Sequence, residues 1–109
     1  MENWLASGKP IDAVIAQNDE MALGALKAIR AAGKQGQIAV IGVDAIPDAL
    51  KAVRGGEMVA TVFQDARGQG TTAVDLAVQL ARGKKVPHDN YIPFQLVTRS
   101  NVMDFMKAP

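Results

Sequence analysis

Apolar residues fall along the chain in two alternating kinds of run. Short runs rich in β-branched residues are typical of strands, and there are four, at residues 11–16, 38–43, 59–64 and 91–97. Between them, apolar residues recur at helical spacing in three stretches, at residues 20–32, 47–53 and 66–82. This alternation predicts an α/β fold in which helices cover a parallel sheet.

Two prolines refine this prediction. Pro47 stands where the second helix should begin, and proline is well tolerated at a first helical position. Pro93 lies within the fourth predicted strand. Because proline cannot donate to a hydrogen-bond ladder, we expect that strand at a sheet edge or at a switch of partners.

Strands joined by crossover helices give a partial doubly wound parallel sheet, and four strands are few for that class. The first strand is apolar on both faces, so we expect a missing neighbour encoded upstream of Met1. The terminal stretches 1–8 and 106–109 are expected to fray.

Composition removes several classes of function. With 109 residues, of which 49% are apolar and 21% charged, the chain has the profile of one globular domain. A net charge of +1 creates no field that would attract nucleic acid. The chain has no cysteine, and its one histidine, His88, lies in a loop-like segment. We therefore expect no catalytic residue, no metal site and no cofactor.

Polar residues stand at the ends of the first three predicted strands. Asn18 follows the first strand, Asp44 follows the second, and Gln64 ends the third. Ligands of open parallel sheets bind beyond the carboxyl ends of the strands. Amides and carboxylates suit the hydroxyl groups of a sugar or cyclitol, and the glycine-rich loop that a phosphate would need is absent.

Helix capping is the competing interpretation of these residues. Either Asn18 or Asp19 should cap the first helix, and Asp65 is well placed to cap the third. With Pro47 at the first helical position, the cap of the second helix falls on Ile46. Asp44 is then left without a capping role, which makes it the strongest candidate for ligand binding.

Three motifs in order, AVIAQNDEMALGALKAIRAAGK, IAVIGVDAIPDALKAV and MVATVFQDARGQG, resemble the C-terminal part of the ribose-type periplasmic sugar-binding proteins of bacterial ABC transporters. The resemblance extends from about residue 11 to residue 102 and covers well under half of a typical member. It implies two α/β lobes that clamp a sugar between them without altering it. By resemblance, Asn18, Asp44 and Gln64 hydrogen-bond the sugar hydroxyls.

The resemblance also implies a division of the chain between lobes. Residues 1–65 would be a segment of the C-terminal lobe, residues 66–97 would belong to the other lobe and the hinge, and residues 98–109 would return to the C-terminal lobe. The intact protein would be periplasmic and would serve an ABC permease, although this chain carries no signal peptide. Because the helix at 66–82 would lack its native sheet, we expect the isolated chain to form a homodimer or to swap this helix.

Two alternatives stay open at this point. The effector domain of a lac-repressor-like transcription regulator has the same lobes, and the segment upstream would distinguish it. A receiver-like phosphoacceptor switch would need an acidic cluster, which Asp19, Glu20 and Asp44 could imitate, and a lysine after a late strand. No lysine follows the third or fourth predicted strand.

Overall fold

The fold is given by a computed structural model that describes residues 1–106. In this range the chain forms five helices and four strands, which alternate for most of its length. In chain order they are α1 Glu2–Ala6, β1 Ala13–Ile15, α2 Asp19–Ala31, β2 Ala39–Ile41, α3 Pro47–Gly55, β3 Ala60–Phe63, α4 Ala66–Ala81, β4 Gln95–Thr98 and α5 Val102–Phe105.

The strands form one open sheet in the order β1-β2-β3-β4. The first three are parallel, with Ala13 opposite Ala39 and Ile41 opposite Ala60. The predicted α/β fold class is therefore confirmed. The fourth strand was expected to be parallel as well, and this is wrong, because β4 is antiparallel to β3. The apolar pattern of a strand is the same in either direction, so it could not reveal the reversal.

The fourth strand is also shorter than its apolar pattern indicates. It begins at Gln95, whereas the prediction began at Tyr91, and Pro93 lies before the ladder. The expected edge position is confirmed, since β4 stands last in the sheet among the described strands. The ladder starts only beyond Pro93, the residue that has no N–H to contribute.

Contacts divide the chain into two units. The first contains Met1–Phe63 together with the stretch from Gln95 onward, and the second is Gln64–Phe94. The assignment of residues 66–97 to a second lobe and hinge remains a prediction.

A single hydrophobic core stabilises the first unit. In this unit α2 contacts β1 and β2, α3 contacts β3 and β4, and the two helices contact each other. Their apolar faces bury a shared core, whose largest fully buried members are Ile29, Val40, Val53, Met58, Val97 and Val102.

Helix α3 has the ends predicted for it. Pro47 is its first residue, Ile46 is its N-cap, and Gly56 closes it with a φ of 80°. A left-handed φ suits glycine because it has no Cβ to clash with the neighbouring carbonyl. Asp44 is therefore not the cap of α3, as expected from the sequence.

The second unit contains α4 and the segment that follows it. Asp65 caps the helix, with its Oδ1 accepting from the Gly68 N–H at 2.8 Å, as predicted. None of the residues Ala66–Ala81 is buried. A hollow of about 410 Å³ lies between α4 and residues 90–94 of the same unit, lined by apolar side chains such as Leu76, Tyr91 and Phe94.

The N-terminal stretch is more ordered than predicted. Residues 1–8 were expected to fray, but Glu2–Ala6 form α1, and the half-buried Met1 and Leu5 pack against the core of the first unit. Of the C-terminal stretch expected to fray, residues 107–109 lie outside the described part. Within residues 1–106, no helix combines the length and the apolar character needed to cross a bilayer.

Candidate functional site

The carboxyl ends of β1, β2 and β3 meet at one edge of the sheet. Parallel hydrogen bonding continues past the regular strands, since the Asp19 N–H donates to the Val43 carbonyl at 2.8 Å. The Asp44 N–H likewise donates to the Val62 carbonyl at 2.8 Å, and Asp44 forms a parallel bridge with Phe63. Asn18 and Asp44 are therefore brought to the same edge.

Asn18 is the residue that caps α2. Its Oδ1 accepts from the Met21 N–H at 2.9 Å, and its extended backbone has a φ of −148°. The choice between Asn18 and Asp19 is thereby decided in favour of Asn18. The cap uses one of the two lone pairs of the amide oxygen, so the Nδ2 group, which is a donor, remains available for a hydrogen bond to a ligand.

Asp44 has an unusual backbone conformation. Its φ is 118°, and that of the next residue, Ala45, is 58°. Positive φ is uncommon for residues that have a Cβ, and two in succession require the surrounding structure to hold them. Asp44 is exposed, so its carboxylate is accessible at the edge where the strands end.

Gln64 lies in the short connection between β3 and α4. It follows Phe63, the last residue of β3, and is the first residue of the second unit. It is half-buried, and its backbone carbonyl accepts from the Ala66 N–H at 2.8 Å, which tightens the turn into α4. The proposed contact between Gln64 and a ligand therefore remains a prediction.

A buried polar pair beneath this edge was missed by the sequence analysis. Asp19 and Thr61 are both fully buried, and the Thr61 hydroxyl donates to Asp19 Oδ1 at 2.7 Å. From its place in the sequence, Asp19 is predicted only as a helix cap or as part of an acidic cluster. Thr61 is the sole polar residue in the run Val59–Phe63. A polar residue inside an otherwise apolar strand is the sequence signal that could have indicated a buried hydrogen bond.

One hollow of the first unit lies beside Asn18, since Gln17 and Met21 are among its lining residues. It has a volume of about 550 Å³ between α1, β1 and α2, and its lining is largely apolar, including Trp4, Val14 and Ile15. Neither Asn18 nor Asp44 lines it. A polyhydroxylated solute needs convergent polar groups, so this hollow is a poor alternative to the strand ends.

Metal chemistry gains no support from the described residues. Among them, no three histidine, cysteine, aspartate or glutamate side chains are grouped closely enough to hold an ion. His88 is almost fully exposed and contacts its neighbour Asp89, with 3.2 Å between Nδ1 and Oδ1.

Residues 1–85 match the family model described as a periplasmic binding protein domain, and the chain belongs to this family. A curated relative, the ribose import binding protein of Escherichia coli, is 40% identical over 99 residues, which is 91% of this chain and 33% of the relative. The ribose-type resemblance is thereby confirmed.

Solved structures agree in fold and in sequence. An ABC transporter solute-binding protein from Bacillus halodurans, with bound myo-inositol, is 54% identical with a TM-score of 0.88; the match covers 96% of this chain and 36% of that one. A Caulobacter myo-inositol binding protein bound to myo-inositol is 40% identical with a TM-score of 0.85, covering 94% and 36%.

The chain thus spans about a third of the length of the relatives it matches. These relatives are binding proteins for sugars and cyclitols, and the regulator and receiver alternatives are not favoured.

Proposed function

We propose that this chain is part of a periplasmic solute receptor and supplies one side of a binding site for a monosaccharide or cyclitol. The ligand is held by hydrogen bonds and leaves unchanged, so the protein is not an enzyme. The intact receptor delivers the solute to an ABC permease. The observation that carries this proposal is that Asn18 and Asp44 lie at the same carboxyl edge of the sheet. The relatives of the chain include a solute-binding protein with bound myo-inositol and a ribose import binding protein.

The chemistry of the two residues is complementary. The Nδ2 group of Asn18 can donate to a hydroxyl oxygen, while the Asp44 carboxylate can accept from two neighbouring hydroxyls. Gln64 would add an amide with both a donor and an acceptor. Such a set suits a ring with several adjacent hydroxyl groups, and the absence of a cation among the three disfavours a phosphorylated ligand.

Half of a site should bind weakly. In a two-lobed receptor, closure surrounds the ligand and excludes water, and these contributions are lost when only one side is present. We expect the Kd values of this chain for myo-inositol and ribose to lie far above the micromolar range, and calorimetry would measure them. Micromolar binding to the isolated chain would contradict this expectation.

Asp44→Asn should weaken the residual binding about tenfold or more, because a hydrogen bond to a charged acceptor contributes roughly 1.5–3 kcal/mol. Asparagine tolerates positive φ, so the loop should keep its shape. Titration with myo-inositol, followed by amide chemical shifts in NMR, would measure both the affinity and the location of binding.

The matched control is Asp48→Asn. Asp48 is also an exposed carboxylate, but it lies on α3 and pairs with Lys51, at 2.9 Å between Oδ1 and Nζ. This variant should bind like the unmodified chain. The proposal fails if Asp44→Asn and Asp48→Asn behave alike, or if the shifted amides lie away from Asn18 and Asp44.

Helix α4 should drive self-association of the isolated chain, by dimerisation or by exchange of this helix. Val74 and Val78 lie one helical turn apart, and 63% and 42% of their surfaces are exposed. Since fully burying a valine contributes about 1.5–3 kcal/mol, changing both to serine should weaken the dimer more than tenfold. Sedimentation velocity would measure the shift to monomer.

The control here is Asp75→Ser, on the same helix between the two valines, which should leave the dimer intact. A clean monomer of the unmodified chain at high concentration would refute the expected self-association.

A further inference from the structure

The loop that carries Asp44 rests on a fully buried carboxyl group. Asp19 is the first residue of α2, and no part of it reaches solvent. Its Oδ1 accepts from the Thr61 hydroxyl at 2.7 Å, and its Oδ2 accepts from the Ile46 N–H at 3.0 Å. One side chain thus joins the start of α2 to β3 and to the start of α3.

Thr61 completes the link to the loop. Its Oγ1 donates to Asp19 and also accepts from the Ala45 N–H at 3.2 Å. The two residues that follow Asp44 therefore both have their N–H groups bound by this pair. Asp44 and Ala45 have φ values of 118° and 58°, which are unfavourable for residues with a Cβ. The two hydrogen-bonded amides therefore lie at or next to the strained residues of the loop.

A simple helix-capping role does not explain Asp19. The cap of α2 is made by Asn18, whose Oδ1 accepts from the Met21 N–H. Both Asp19 oxygens are instead directed to groups outside α2, which lie 27 and 42 residues further along the chain. A buried carboxyl group is costly unless its hydrogen bonds are satisfied, and here they are satisfied by the loop and by β3.

We propose that Asp19 and Thr61 are positioning residues that hold Asp44 in its positive-φ conformation and so aim its carboxylate beyond the end of β2. That this orientation of the Asp44 carboxylate serves ligand binding rests on the proposed function. The mechanical claim, that the pair fixes the backbone at residues 44–46, stands independently of any ligand.

The main test is Thr61→Val, which keeps the shape of the side chain and removes the hydroxyl. Thr61→Ser restores the hydroxyl and serves as the matched control. Amide hydrogen exchange should show protection at Ala45 and Ile46 reduced about tenfold or more in the valine variant, beyond any reduction at core amides such as that of Val53. The three-bond HN–Hα coupling of Asp44, which is small at its present φ, should rise as the backbone relaxes towards an extended conformation.

A second variant, Asp19→Ala, covers the case in which Thr61→Val does not fold. The alanine side chain has no acceptor, so it can bind neither the Thr61 hydroxyl nor the Ile46 N–H. The selective loss of protection should then appear at Ile46. The proposal is overturned if the loop amides and the Asp44 coupling stay unchanged, or if all amides lose protection equally, as a general loss of stability would produce.

Titration with myo-inositol separates this proposal from the proposed function. If Thr61→Val releases the loop and also weakens binding to the extent that Asp44→Asn does, both are supported. If the loop is released but the unmodified chain shows no shift at Asp44 with myo-inositol, the positioning role stands and the sugar-binding function fails.

Discussion

Ile29→Ala should lower the free energy of unfolding by about 2–5 kcal/mol, the range found when a buried isoleucine is truncated and leaves a cavity. Ile29 is 1% exposed and lies in the last turn of α2, where its side chain contributes to the core of the first unit. A domain of this size is stabilised by only about 5–15 kcal/mol in total, so the variant should lose a substantial share of its stability. Urea denaturation followed by far-UV circular dichroism would measure the change.

Met21→Ala is the matched control for this prediction. Met21 is on the same helix, but 55% of its surface is exposed. Surface substitutions of this kind usually change stability by less than about 0.5 kcal/mol. If the two variants lost similar amounts of stability, the position of the core relative to α2 would be wrong.

Gly42→Ala should destabilise the first unit by about 1–3 kcal/mol, because it adds a methyl group where the packing leaves no room. A Cβ on Gly42 would overlap Asp19 Oδ1 and would lie 3.1 Å from both the Asp19 Cα and the Ala22 Cβ. Relief would require α2 to move away from β2 or Asp19 to leave Thr61. Thermal unfolding would measure the loss, and exchange at the Ile46 amide would show whether Asp19 had been displaced.

The control is Gly24→Ala, in the middle of α2. A Cβ there meets nothing within 4 Å, and the backbone already has a helical conformation. Alanine is favoured over glycine in a helix by about 0.5–1 kcal/mol, so this variant should be more stable than the unmodified chain. A loss of stability in both variants would show that the contact at Gly42 is not the cause.

Local patterns predicted α2, α3 and α4 because their signals are local, but they missed the short helices α1 and α5. The spacing of Leu26 and Ile29 identified α2, and Pro47 with Gly56 bounded α3. The direction of β4 depends instead on where the chain re-enters the sheet, and no property of residues 95–98 encodes that. Residues 91–94 satisfied the apolar pattern of a strand without joining the ladder.

The same distinction applies to the candidate site. Asp44 could be singled out from sequence because the capping rules at Pro47 left it without a local role. Asp19 could not, since its burial depends on Thr61, which is 42 residues away. An aspartate at the start of a helix is ordinarily an exposed residue that interacts favourably with the helix dipole, and only tertiary contacts gave it another role.

The position of β1 in the sheet has a practical consequence for handling the isolated chain. Within the described residues β1 pairs on one side only, and Ile15 is 76% exposed. An unpaired strand edge with apolar neighbours is a template for intermolecular β-pairing, which leads to aggregation in addition to the self-association expected through α4. Refolding yield should therefore fall as protein concentration rises, and dilute, cold refolding is the appropriate starting condition for producing this chain.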